Sequence, residues 1–166
     1  MSPAEAHDLI DYHYWARDRL LDAVAALSPE QFVRDMGNSF KSVRDTVAHI
    51  YGAEYLWCGR WTGAPPAGLP DPGQFPDLGS IRTAWHANEA KMRAFFHDLG
   101  ADGVNRAMEY TSPAGKTSTA VLAHMLQHVV NHASYHRGQV TTMLRQLGAA
   151  PPKSMDLMAF YRGRER

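Results

Sequence analysis

Residues 62–79, TGAPPAGLPDPGQFPDLG, hold five of the chain's ten prolines and four of its thirteen glycines. No helix or interior strand persists through such a run, because proline lacks a backbone donor and clashes with the preceding turn. The chain is thereby cut into two helical halves joined by a long connection. Eighteen residues extend to about 59 Å at roughly 3.3 Å each, whereas a 20-residue helix is about 30 Å long. The connection therefore spans a helical bundle from end to end, and the helices flanking it are expected to run parallel.

On either side of this connection the apolar residues recur at helical spacing. Residues 3–27 open with Ser2-Pro3, an N-cap and first-turn pair, and place Leu9, His13, Ala16, Leu20, Ala23 and Leu27 on one stripe. Ser28-Pro29-Glu30-Gln31 reads as a capping box for a short turn that Met36-Gly37-Asn38 ends. A second long helix, from Phe40 or Ser42 to Arg60, carries Val43, Val47, Ile50, Ala53 or Glu54, and Trp57. A third, from about Ser80, presents Ile81, Trp85, Met92, Phe95, Phe96 and Leu99 before Gly100. Residues 101–118 read as a loop or small hairpin turning at Ser112-Pro113-Ala114-Gly115. A fourth helix, from Thr117 or Ser118 to Leu147, stops at Gly148 and Pro151-Pro152, and Ser154 is expected to cap a last short one. The reading is a single all-α domain over residues 1–166, a four-helix bundle in up-down-down-up order; the alternative is a plain up-and-down bundle with a loose loop.

Composition removes several functions. The 166 residues balance 17 Lys and Arg against 17 Asp and Glu, so no overall field attracts a nucleic acid. Cys58 is the single cysteine, which excludes an internal disulfide and any CxxC motif and fits a reducing compartment. No segment reads as a leader or a membrane span, so a cytoplasmic protein without membrane contact is expected. Gly115-Lys116-Thr117 has one glycine where a phosphate-binding loop needs two.

Histidine is the exception to this ordinary composition. Four of the nine, His124, His128, His132 and His136, fall in thirteen residues, and a four-residue step rotates a side chain by about 40° on a helix. They drift through about 120° and cannot converge on one point. The apolar stripe Leu122, Met125, Val129, His132, His136, Gln139, Met143 and Leu147 includes two of them and leaves His124 and His128 on its flank. Two interior imidazoles at i, i+4 suit one divalent metal at about 2.0–2.1 Å, and a further ligand must come from another helix. His49 and His13 are the candidates for it.

The run His128-Val-Val-Asn-His132-Ala-Ser-Tyr-His136-Arg-Gly-Gln139 resembles the signature of the DinB/YfiT-like metalloenzymes, a family distinct from the DNA polymerase that shares the first name. Tyr14-Trp15-Ala16, the segment Ser39-Phe40-x-Ser42-Val43 through Thr46-Val47-x-His49-Ile50 to Trp57, and the tail from Gly148 to Asp156-Leu157 resemble the same pattern, so the likeness spans the whole chain. It implies an up-down-down-up four-helix bundle, usually a homodimer. It also implies three histidines, here His49, His132 and His136, holding zinc, nickel, iron or manganese. Relatives in that family include thiol-cofactor-dependent S-transferases and a mycothiol-dependent maleylpyruvate isomerase. His13 departs from the family, which often has asparagine there.

Three neutral ligands leave a divalent ion its charge and an open position, the pattern of a catalytic site, and that charge acidifies a bound water or thiol. The function expected is a metal-dependent enzyme, a low-molecular-weight-thiol S-transferase acting on a small electrophile. The alternative is a non-catalytic, dimeric metal-binding stress-response module; bis-histidine haem is weaker, because i, i+4 ligands share one side of the metal. Gln139, Asn131 and Tyr135 are placed either to orient the imidazoles or as plain boundary polarity. Arg137 is expected to be solvated, Cys58 to be a small buried hydrophobe, and Trp15, Trp57, Trp61 and Trp85 to serve packing.

Overall fold

The computed structural model describes residues 1–112 and 115–164. Pro113 and Ala114 of the expected turn lie outside them. Among the described residues the chain forms six α-helices and one two-stranded sheet: α1 Pro3–Val24, α2 Pro29–Val33, α3 Val43–Trp61, α4 Leu78–His97, β1 Ala107–Thr111, β2 Thr117–Val121, α5 Leu122–Gln146 and α6 Leu157–Arg164. No helix among these residues is long and apolar enough to cross a membrane.

Local chemistry sets most of the boundaries. Ser2 with Glu5, and Ser28 with Gln31, close reciprocal capping boxes at α1 and α2, each with proline in the first turn. Ser42 and Asp77 accept from the third backbone N–H of α3 and α4. Gly148 ends α5 at φ 76°, in the left-handed region that a side chain rarely adopts.

Helix α1 ends at Val24, three residues before Leu27, and α4 starts at Leu78, two before Ser80; two further boundaries differ in kind from expectation. Helix α5 starts at Leu122, five residues after Thr117, because Thr117, Ser118 and Thr119 pair with β1 in the register Thr111↔Thr117 and Glu109↔Thr119. β-branched residues favour that pleated pairing, and the Leu122 N–H is taken by the Arg106 carbonyl at 3.0 Å, where the hairpin feeds into the helix. Helix α6 is capped by Asp156, whose Oδ1 accepts from Met158 and Ala159, while Ser154 only braces Asp156.

The four long helices pack in a closed ring in which α1 and α3 each touch both α4 and α5. Side-chain pairs follow the same order along α3 and α4 (Glu54 with Trp85, Trp61 with Phe96) and opposite orders along α3 and α5 (His49 with His132, Trp61 with Met125). The core between them holds Ile10, Leu20, Val47, Ile50, Trp85, Met92, Leu122, Leu126, Val140 and Leu144. On α1 the buried face keeps His13, Ala16 and Leu20 of the expected stripe and widens to Ala6, Ile10, Tyr12, Tyr14, Arg17, Leu21 and Val24, while Leu9, Ala23 and Leu27 are half-buried at its edge. The Pro/Gly connection lies against α3 instead of hanging free. A side-chain carbon at Gly59 would stand 2.7 Å from the Ala64 carbonyl and from Pro66, and one at Gly52 would stand 3.0 Å from Pro70.

Candidate metal centre

His49 stands in the second turn of α3, and His132 and His136 stand four residues apart on α5. The buried face of α5 is wider than one stripe and includes Leu126, Val130, Ala133, Arg137, Val140 and Leu144. This moves the histidines to its margin: His136 is buried, and His132 and His49 are half-buried. The core positions expected for both α5 histidines thus hold for His136 alone. The site is therefore anchored in the helical core and open on one side.

The three residues each offer one ring nitrogen within 4.8 Å of the others. The Nε2 atoms of His49 and His132 point at one another across 3.0 Å. Nitrogens sharing one tetrahedral ion at about 2.0–2.1 Å lie about 3.4 Å apart, so that pair, at hydrogen-bond distance, stands somewhat closer than two ligands of one ion. The third ring is turned by Gln139, whose Oε1 lies 2.7 Å from His136 Nδ1. The amide oxygen can only accept, so Nδ1 carries the proton and Nε2 keeps its lone pair.

Burial, and then the neighbouring His136, lower the pKa of His49 to about 4; burial, His136, His49 and His128 do the same for His132. Both rings are neutral at neutral pH, the form a cation needs. Phe40, in the segment before α3, stacks on His49 at 4.0 Å between centroids and meets His136 edge-on at 5.4 Å. It screens one flank of the cluster from water. Spacing alone gives Phe40 no role; the signal was its place in the family pattern, just before the cap of the histidine-bearing helix.

The remaining sequence candidates separate from the site. His13 belongs to another buried cluster, in which Glu54 accepts from His13 Nε2 at 2.8 Å, Tyr14 at 2.8 Å, Trp85 Nε1 at 2.6 Å and Asn88 at 2.9 Å. Burial would push the Glu54 carboxyl up, but the His13 hydrogen bond and charge, with Trp85 and Tyr14, hold it below the usual carboxylate value. The sequence carried that signal as an acid and a histidine on two facing apolar stripes.

His128 is exposed, 6.0 Å from the His132 ring and edge-on to Trp57 at 5.6 Å; His124 is exposed as well. Tyr135 is 67% exposed with its ring against His136, and Asn131 is exposed. Arg137, expected in solvent, is only 2% exposed. It points inward from the wide buried face of α5, with Nη2 2.7 Å from Ser134 Oγ and 3.5 Å from the Tyr12 hydroxyl. Cys58 is buried, and burial raises its thiol to about 11, which disfavours the thiolate. Trp61 and Trp85 are core; Trp15 and Trp57 are half-exposed at its edge.

The sequence model of the DinB family matches residues 1–165. The protein named DinB of Bacillus subtilis strain 168 is 23% identical over 169 residues, an alignment covering 97% of each chain. A match along the whole length, together with three histidines converging from two helices, establishes that this chain belongs to the DinB family.

Proposed function

We propose that His49, His132 and His136 hold one divalent ion and that the protein is a metal-dependent enzyme, a transferase joining a low-molecular-weight thiol to a small electrophile. The convergence of three imidazole nitrogens within 4.8 Å carries this reading. Imidazole sets of this kind suit zinc, nickel or iron. Held there, a divalent ion supplies positive charge that acidifies a thiol or water placed against it. The protein's own residues do the rest. His49 and His132 supply neutral lone pairs, Gln139 fixes the His136 tautomer, and Phe40 keeps water off the back of the cluster. The half-exposed side beside His132 is where substrates approach.

Metal analysis of the purified protein tests the site. Stoichiometric metal is expected in the wild type and in His128→Ala, and its loss in His132→Ala; equal metal in all three, or none in any, overturns it. Chelation is then expected to abolish turnover in a thiol-conjugation assay. Metal binding with no turnover of any thiol and electrophile pair supports instead the non-catalytic metal-binding module.

We also read the four long helices as an up-down-down-up bundle folding as one unit over residues 1–166. The same-order pairing of α3 with α4 and opposite-order pairing of α3 with α5 support this reading. On the family resemblance we place it as a cytoplasmic homodimer acting on small molecules, with no nucleic-acid or membrane partner. Light scattering tests the dimer.

A further inference from the structure

A cavity of about 600 Å³ opens between α3, the Pro/Gly connection and the hairpin, walled by Leu56, Arg60, Pro65, Pro66, Leu69 and Thr111. Its size is that of a small-molecule site, and its walls are mostly apolar, with Arg60 their one charged residue and Thr111 and Ser112 beside it. The Arg60 guanidinium is fixed: Cζ lies 4.6 Å from the centroid of Trp57 and 5.5 Å from that of Tyr110, and Nη2 donates to the Thr111 carbonyl at 2.7 Å. A guanidinium has five N–H donors. Among the described residues no carboxylate lies within ion-pair distance of this one. A rigidly held cation without a counter-charge, at the edge of an apolar cavity, is complementary to an apolar molecule ending in an anion.

The cavity and the histidine cluster share one face of α3. Leu56 and Arg60 lie seven and eleven residues beyond His49 on α3, both within about 20° of the face that carries it. The rise from His49 to Arg60 is about 16 Å, and the Arg60 side chain folds back one turn onto Trp57. Trp57 meets His128, which adjoins His132, so a chain of rings runs from Arg60 to the cluster.

We propose that this cavity is a binding site for an elongated amphipathic carboxylate, its carboxylate held by Arg60 and its far end directed at the histidine cluster. The direction of the far end rests on the metal-site reading; the carboxylate site does not. Planar bidentate pairing with Arg60 selects carboxylate over a neutral amide of the same shape. Lysine in its place keeps the charge but neither the fork nor the aromatic stacking.

Titration of chelator-treated protein with octanoate and with octanamide, followed by tryptophan fluorescence and calorimetry, tests the site. The acid is expected to bind about tenfold or more tighter than the amide, the worth of one charge-assisted pair. Arg60→Gln is expected to erase that preference while leaving amide binding unchanged, and Arg60→Lys to restore part of it. Equal binding of acid and amide to the wild type, an unchanged preference in Arg60→Gln, or no binding of either overturns the site, and the wild-type comparison is independent of how the variants fold. In manganese-loaded protein, relaxation of octanoate protons is expected to be faster at the methyl end than beside the carboxylate. Faster relaxation beside the carboxylate overturns the orientation. Failure of manganese, nickel, iron and zinc alike to bind overturns the metal site and, with it, the orientation, while the acid-versus-amide result stands on its own; where nickel or iron binds and manganese does not, the same relaxation gradient is read with that ion.

Discussion

Glu54 carries the heaviest polar load in the interior, a carboxylate 1% exposed that is tied to α1 through His13 and Tyr14 and to α4 through Trp85 and Asn88. Four donors replace the water it gives up. Glu54→Ala strands them in the core and is expected to cost about 3–5 kcal/mol, measured by urea unfolding. Its acid sensitivity has a definite sign. A carboxyl whose folded pKa lies below its unfolded value stabilises the fold fully above the unfolded value, and the contribution is lost as pH falls through the folded one. The wild-type midpoint is expected to hold above the ordinary value of 4.5 and decline below it. Glu54→Gln is expected to be less stable at neutral pH, with a gap that narrows in acid; a constant gap counts against the role given to Glu54.

At the scale of the elements, the glycines of α3 and α5 make opposite predictions. A side-chain carbon at Gly59 meets a backbone carbonyl and a proline ring at 2.7 Å, whereas one at Gly138 meets nothing within 4 Å. Alanine is the better helix former by about 1 kcal/mol. Gly138→Ala is therefore expected to stabilise by up to that amount, and Gly59→Ala to destabilise by about 1–3 kcal/mol through overpacking against residues 64–66; urea midpoints of both variants check this. Helix existence and most caps were legible in the sequence, because capping boxes and apolar recurrence are local. What was less legible depends on neighbours. The α1 face widened beyond its stripe because Tyr14 and Arg17 find partners inside, Glu54 for the hydroxyl and Glu89 for the guanidinium. Arg137 turned inward because α5 is covered along two stripes, and residues 117–121 became strand because β1 was there to pair with them. The histidine trio followed from the family pattern; the phase of α5 selected two of its members and left the third open between His13 and His49.

Across the whole molecule, the histidine cluster joins α3 to α5 over 83 residues of sequence. An ion bound there clamps the two halves of the chain in the folded state only, and stabilises by about 2.7 kcal/mol when its free concentration is a hundred times its dissociation constant. Chelation is expected to lower the thermal midpoint of the wild type and to leave that of His132→Ala where it stands. An equal drop in both excludes the clamp.

The segments that hold the histidines differ in kind from those that wall the neighbouring cavity. The histidines sit on long helices locked by the core, whereas Pro65, Pro66, Leu69 and Thr111 come from a connection and a hairpin, where substitutions and insertions are tolerated. On the functions proposed for them, substrate preference and metal chemistry can consequently diverge at separate rates. A lineage can exchange the loop wall and acquire a new substrate while inheriting its reactive centre intact.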